Sequence, residues 1–164
     1  MFEKSIYKNR RKSLISKDLK GVALVPGNVE SPMNYLDNAY HFRQDSNFLY
    51  FFGLDFPGLA GVIDFDNGKE YLFGDDVDIE DIIWMGPQVP LKENAKKVGV
   101  ENTAALAKLS DFIAGVIKQG RKIHFTPPYR GENKLFLEKL MGISALRIEE
   151  YASVDLIKAI VDLR

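Results

Sequence analysis

Two histidines, His41 and His124, one tryptophan, Trp84, and no cysteine leave few places where this chain could do chemistry. The densest is "YHFRQDSNFLYFFG", Tyr40 to Gly53, which packs six aromatic rings around Arg43, Asp45 and Asn47. An Arg and an Asp this close, beside an aromatic helix, either fix a local turn or present a small polar site. Trp84 lies in "IIWMGPQ", before a Gly-Pro pair that ends a helix and makes an exposed turn. A large amphipathic ring there suits either a contact surface or core packing.

Most catalytic and binding constellations are absent. Neither G-x-x-x-x-G-K-[ST] nor G-x-G-x-x-G occurs, so phosphate cradling has no motif. There is no H-E-x-x-H and no G-x-S-x-G. His41 and His124 stand far apart and read as ordinary loop or strand residues. The acidic run Asp75, Asp76, Asp78, Glu80, Asp81 invites calcium. It fails the EF-hand template, because with Asp76 first the sixth position is Asp81 rather than Gly, and no Glu stands twelfth. These carboxylates read instead as solvated groups at a helix N-terminus. The basic cluster Lys8, Arg10, Arg11, Lys12 reads as a solvated helix face, with no interleaved aromatics for base stacking. No catalytic or metal-ligating residue is assigned in this chain.

The elements that must position these residues alternate between helix and strand. A basic amphipathic helix is expected from about Phe2 to Lys20, anchored by Ile6, Leu14 and Ile15. "GVALVPG" reads as a buried strand. Phe48, Phe51 and Phe52 at i, i+3, i+4 predict a core-facing helix, with Asp45 or Ser46 as its cap and Gly53 as its stop. Gly61–Phe65 and Glu70–Phe73 flank Asn67-Gly68 and predict a hairpin. "DDVDIEDIIWMG" and "KENAKKVG" read as short helices. "LSDFIAGVIKQG" reads as a helix capped by Ser110, with Phe112, Ile113, Val116 and Ile117 apolar and Gly120 ending it. "KIHFTP" reads as a strand, "GENKLFLEKLMG" as a helix ended by Gly142, and "ALRIEEY" as a last strand. "SVDLIKAIVDLR" starts a helix capped by Ser153, apolar on more than one face. Its abrupt end reads as a cut inside a longer protein. The fold class is α/β, with a mixed sheet of about five to six strands, an antiparallel hairpin and flanking helices.

With 164 residues and a net charge of −1, the chain suits one domain, 1–164, with no basic field for nucleic acid or an anionic membrane. The charged start is no secretory signal and no apolar run is long enough to span a bilayer, so the expectation is a cytoplasmic domain.

"FRQDSNFLYFFGLDFPG" resembles the F/Y-R-Q-x-S-x-F-x-Y-x-x-G-F segment of the N-terminal domain of aminopeptidase P, the Xaa-Pro aminopeptidase of the creatinase/prolidase type. The hairpin "LAGVIDFDNGKEYLFGD" follows in the family's order, then "IIWMGPQVPLKENAKKVGVE", similar to a W-x-G motif followed by A-x-x-x-G-V. "SVDLIKAIVDLR" is similar to the junction with the family's catalytic domain. The resemblance implies a ribonuclease H-like fold and a two-domain enzyme. Its C-terminal pita-bread domain, absent from this chain, holds two divalent ions, usually manganese, on two Asp, one His and two Glu. There the ions activate a hydroxide that cleaves the bond before proline. For this chain the resemblance implies no cofactor and no catalysis of its own. It implies subunit contacts in a dimer or tetramer, and closure of the active-site mouth around a proline-containing peptide. Trp84 matches the tryptophan that reaches a neighbouring subunit's active site. Arg43 and Asp45 are left as local or interface residues. Prolidase, creatinase and a stand-alone interaction module remain the alternatives.

Overall fold

The computed structural model describes residues 1–35, 38–76, 86 and 89–164. In chain order the elements are α1 (Lys4–Ile15), β1 (Val22–Pro26), α2 (Ser46–Phe52), β2 (Ala60–Asp64), β3 (Glu70–Phe73), α3 (Leu91–Val98), β4 (Asn102–Ala104), α4 (Lys108–Lys118), β5 (Ile123–His124), α5 (Gly131–Met141), a 3-10 turn (Ile148–Tyr151) and α6 (Val154–Leu163). The sheet runs β4-β3-β2-β1-β5. β1 and β2 are antiparallel, as are β2 and β3, while β4 and β5 join their neighbours in parallel. The expected mixed sheet therefore has five strands, with six α-helices around it among the described residues.

β1 shows why the sheet has two cores. Side chains alternate across a strand, so Ala23 and Val25 join one buried cluster while Val22 and Leu24 join the other. The first cluster packs α1, α2, α3 and α6 on one face; the second packs α4, α5 and the 3-10 turn on the opposite face. Burial on both faces explains the unbroken apolar run Val22–Val25.

Local signals in the sequence set α2. The Asp45 carboxylate accepts from the amides of Asn47 (2.8 Å) and Phe48 (3.0 Å), and Gly53 closes the helix at φ 66°. Phe48, Phe51 and Phe52 are fully buried, as their spacing predicts. Phe52 lies on β2 only because residue 61 is Gly: a Cβ there would come within 2.1 Å of the Phe52 ring. The hairpin also matches expectation, shifted by one residue in its first strand, with Gly68 at φ 68° in the turn.

Other expectations are corrected. The first helix is shorter than expected because Ser16 ends it, and Tyr7, Arg11 and Leu14 are its buried residues rather than Ile6 and Ile15. Arg11 does not belong to a solvated face. It has no exposed surface, and donates to the carbonyls of Phe51 (2.7 Å) and Val98 (2.9 Å). Its Nε lies 2.8 Å from the Glu70 carboxylate, off the line of a hydrogen bond, so that contact is an ion pair. Ser110 sits inside α4, which starts at Lys108, and Ile117 is half exposed. The strand at "KIHFTP" stops at His124, since Pro127 and Pro128 offer no N–H for a ladder. "ALRIEEY" is no strand: Ile148–Tyr151 form the 3-10 turn, with Ile148 buried against α5. β4 pairs with β3 over three residues and carries no strand signal of its own.

His124 ties three segments together. Its Nε2 lies 2.9 Å from the Lys20 carbonyl, which can only accept, so Nε2 carries the proton. Nδ1 then accepts from the Ser153 hydroxyl at 2.6 Å, while Ser153 Oγ caps α6 by accepting from the Leu156 amide at 3.2 Å. Burial lowers the His124 pKa, so the ring stays neutral in the fold.

Two predictions follow from these buried groups. Arg11→Ala leaves Glu70 and two helix-end carbonyls unpaired and should cost about 3–5 kcal/mol in urea unfolding; a loss under about 1 kcal/mol would show that water replaces the guanidinium. For His124 the folded pKa lies below the unfolded one. Its contribution is thus complete above the ordinary histidine range and lost as pH falls toward the folded value. Urea midpoints at pH 7.5 and 5.5 should differ more for the wild type than for His124→Gln; equal differences would place the acid sensitivity elsewhere.

Candidate functional site

The loops that leave β1 and β5 meet beyond the carboxyl end of β1. After β1 the chain turns at Gly27 into Asn28, and after β5 it runs through Pro127 and Pro128 to Tyr129. Between them lies a cavity of about 430 Å³, lined by Asn28, Val29 and Ser31, by Tyr40 to Arg43 and Ser46, and by Tyr129 and Arg130. The opening motif of the sequence thus forms one wall.

Its floor is a buried amide network. Gln44, 1% exposed, accepts from the amides of Asn28 (2.6 Å) and Asp45 (2.9 Å) and donates to the Phe56 carbonyl (2.8 Å). Gly27 is needed beside it, since a Cβ there would come within 2.7 Å of the Leu59 carbonyl and 3.1 Å of the Gln44 amide. Asn28, also buried, donates to the Arg43 carbonyl (2.8 Å) and the Tyr129 hydroxyl oxygen (3.2 Å), and accepts from Asn133 (3.1 Å). Asn133 stands in the first turn of α5 and is itself buried. Every amide group of Asn28 is therefore satisfied, and the floor is fixed by α5 and by the loops that carry Gln44, Phe56 and Tyr129.

The rim is charged. Arg130 donates to the Val29 carbonyl at 3.2 Å and to Ser31 Oγ, and lies 3.8 Å from Glu132. Glu132 also accepts from Ser31 Oγ at 3.2 Å, and its carboxyl is held below the ordinary range, first by its own backbone N–H.

Arg43 and Asp45, read as a pair in the sequence, do separate work. Asp45 turns onto the amides of α2, while the Arg43 side chain is exposed at the cavity mouth and pairs with no carboxylate among the described residues. Its backbone carbonyl, not its charge, is bonded into the floor. His41 lines the same mouth; His124 is in the core instead. Asp75 and Asp76 hold main-chain amides, of Leu106 and of Leu91 at the start of α3. Trp84, Asp78, Glu80 and Asp81 lie outside the described residues; nearby, Gly86 takes φ 76°. Among the described residues no group of three or more His, Asp or Glu side chains is placed to hold a metal ion. The sequence reading missed Asn28 and Gln44. The only trace of Gln44 is its place between Arg43 and Asp45 in the motif.

Comparison with known proteins matches this arrangement to one family. A family model described as "Aminopeptidase P, N-terminal domain" matches residues 7–124. The chain is 26% identical over 102 residues to the Probable Xaa-Pro aminopeptidase pepP of Metarhizium robertsii, covering 62% of this chain and 22% of that protein. It is 36% identical over 76 residues to the Xaa-Pro dipeptidase of Homo sapiens, covering 46% and 15%. It therefore spans less than a quarter of either relative. Aminopeptidase P from E. coli in a low-pH form superposes with a TM-score of 0.70 at 20% identity, over 87% of this chain and 33% of that one. The same enzyme with the inhibitor Pro-Leu gives 0.68 at 19% identity, over 84% and 32%. The profile match spans most of the chain and the superposition shows the same fold: this chain belongs to the aminopeptidase P N-terminal domain family.

Proposed function

We propose that this chain is the N-terminal, non-catalytic domain of a metal-dependent Xaa-Pro aminopeptidase. In this reading it covers the active-site mouth, restricts which peptides enter and makes subunit contacts in a cytoplasmic dimer or tetramer. Hydrolysis of the bond before proline belongs to a C-terminal domain. Two divalent ions there, manganese in the preferred form, would supply the activated hydroxide and polarise the scissile carbonyl. The observation that carries the reading is the family match over residues 7–124, together with relatives that are Xaa-Pro peptidases several times longer than this chain.

Trp84 is the residue proposed to touch substrate, from a neighbouring subunit. A rigid indole covers a proline ring at small entropic cost. The human dipeptidase, which has the higher identity of the two curated relatives compared, favours prolidase as the second reading. Peptide length separates the two: an aminopeptidase cleaves Xaa-Pro-Yaa peptides, whereas a prolidase is confined to Xaa-Pro dipeptides.

The longer protein, loaded with Mn²⁺, should release the residue before proline from such tripeptides, and the 164-residue chain should release none. Turnover by the 164-residue chain itself would sink the proposal. In the longer protein Trp84→Ala should lower kcat/KM about tenfold, the loss of roughly 1–2 kcal/mol for one aromatic contact, with the fold unchanged. Unaltered kinetics would remove Trp84 from the site.

A further inference from the structure

The cavity beyond the carboxyl end of β1 is built entirely from residues of this domain. Its volume, about 430 Å³, falls in the range that encloses small ligands. Its place at the carboxyl end of a strand, between the loops that follow two parallel neighbours, is where α/β sheets bind ligands.

The charges at its rim do not cancel. Arg130 is already engaged by Val29, Ser31 and Glu132. Asp45 is turned away onto the amides of α2. Arg43 is left with no anionic partner among the described residues, facing the mouth beside His41. Among the lining residues Arg43 is thus a guanidinium that no carboxylate engages, and it offers a place for a single negative charge. A dianion would set its second charge near Glu132, at a repulsive cost.

The donors fit a carboxylate. A guanidinium offers two parallel N–H groups to its two oxygens. Because Asn28 Nδ2 donates to the Tyr129 oxygen, the Tyr129 hydroxyl proton is left to point elsewhere. The walls fit an apolar neighbour of that carboxylate: Tyr40 and Tyr129, 60% and 67% exposed, both line the cavity.

We propose that this cavity binds the C-terminal carboxylate of a short peptide, with Arg43 pairing the carboxylate, Tyr129 donating to it, and the Tyr40 and Tyr129 rings flanking an apolar last residue. The site belongs to this domain and goes beyond its proposed capping role. It needs neither a metal nor a catalytic domain, so its failure would leave the Xaa-Pro reading untouched, and the reverse.

The test is titration of the 164-residue chain with N-acetyl-Gly-Phe, followed by NMR of backbone, Asn side-chain and Arg Nε–H signals. Saturable binding in the millimolar range is expected, with shifts at Arg43 Nε–H and Asn28 Nδ2. The C-terminal amide of the same peptide should bind at least about tenfold more weakly, and inorganic phosphate at equal concentration should not displace the acid. Arg43→Gln should weaken the acid about tenfold at an unchanged urea midpoint, and Tyr129→Phe should weaken it by a smaller factor. The proposal is overturned by any of three results: the amide binds as well as the acid, phosphate displaces the acid at equal concentration, or Arg43→Gln leaves binding unchanged.

Discussion

The guanidinium of Arg11 is a full positive charge with no exposed surface, and the face of the sheet that carries α1, α2 and α3 is arranged around it. It meets the last turns of two helices at once, through the carbonyls of Phe51 in α2 and Val98 in α3. Helix C-termini carry unpaired carbonyls and negative partial charge, so a cation there answers two needs together. Glu70 supplies the countercharge from β3 at 2.8 Å. Burial lifts its carboxyl above the ordinary range even against the pull of Arg11, and burial likewise lowers the Arg11 pKa. The pair is costly to assemble and costlier to break, because removing either partner strands the other. Four elements, α1, α2, α3 and β3, are therefore held in one relative placement.

That placement reaches the candidate site through α2. Arg11 holds the C-terminal end of this seven-residue helix, and Arg10 adds a bond to the Tyr50 carbonyl at 3.0 Å. Asp45 and Gln44 hold its N-terminal end, one by capping it and the other by fastening it to Asn28 and Phe56. Between the two ends Phe48, Phe51 and Phe52 fill the core, and Tyr50 donates to the Leu163 carbonyl at the end of α6 (2.7 Å). A helix this short has little stability of its own. Fixed at both ends and along one face, it becomes a stiff support for the segment Tyr40–Arg43 that walls the cavity.

The parts legible in the sequence are those whose signals are local. α2 announced itself by a cap, a stop and a 3.6-residue aromatic stripe, and the hairpin by Asn67-Gly68 between β-rich runs. Misread parts depend on partners far along the chain. Arg11 stood in a basic run, and nothing within that run reveals that two helix ends 40 and 87 residues away need a cation. β4 is three residues of "NTA" that become a strand only because β3 offers a parallel partner. "ALRIEEY" has strand-like alternation, but the tight turn at Ile148–Tyr151 buries Ile148 against α5. At the site, the expected turn is made by Asp45 alone, as the cap of α2, and Arg43 takes no part in it. A carboxylate two and three residues before free helix amides forms two charge-assisted bonds without ordering a long exposed side chain, so the cap wins. Buried amides such as Asn28 and Gln44 leave no periodic trace, since their pairing is with main chain and side chains in other loops.

The two ends of β1 have opposite characters, and the proposed binding site lies at the one left open. At its amino end Gly21 N–H is held by the Asp66 carboxylate at 3.1 Å, Arg121 joins Asp64 and Asp66, and His124 closes onto the Lys20 carbonyl. The Gly21 N–H, with Arg121 behind it, keeps the Asp66 carboxyl below the ordinary range, so these charges are spent on one another. A Cβ at Gly21, whose φ is 91°, would meet the Lys122 carbonyl, so the backbones there leave no gap for a ligand. At the carboxyl end the polar groups of the floor are also satisfied, but the rim above them is not. Arg43 faces solvent beside exposed rings, over a floor whose buried amides have no freedom to rearrange. Preorganised support beneath an uncommitted charge is what lets a ligand bind without ordering the protein first. Of the two ends, the carboxyl end alone meets that condition.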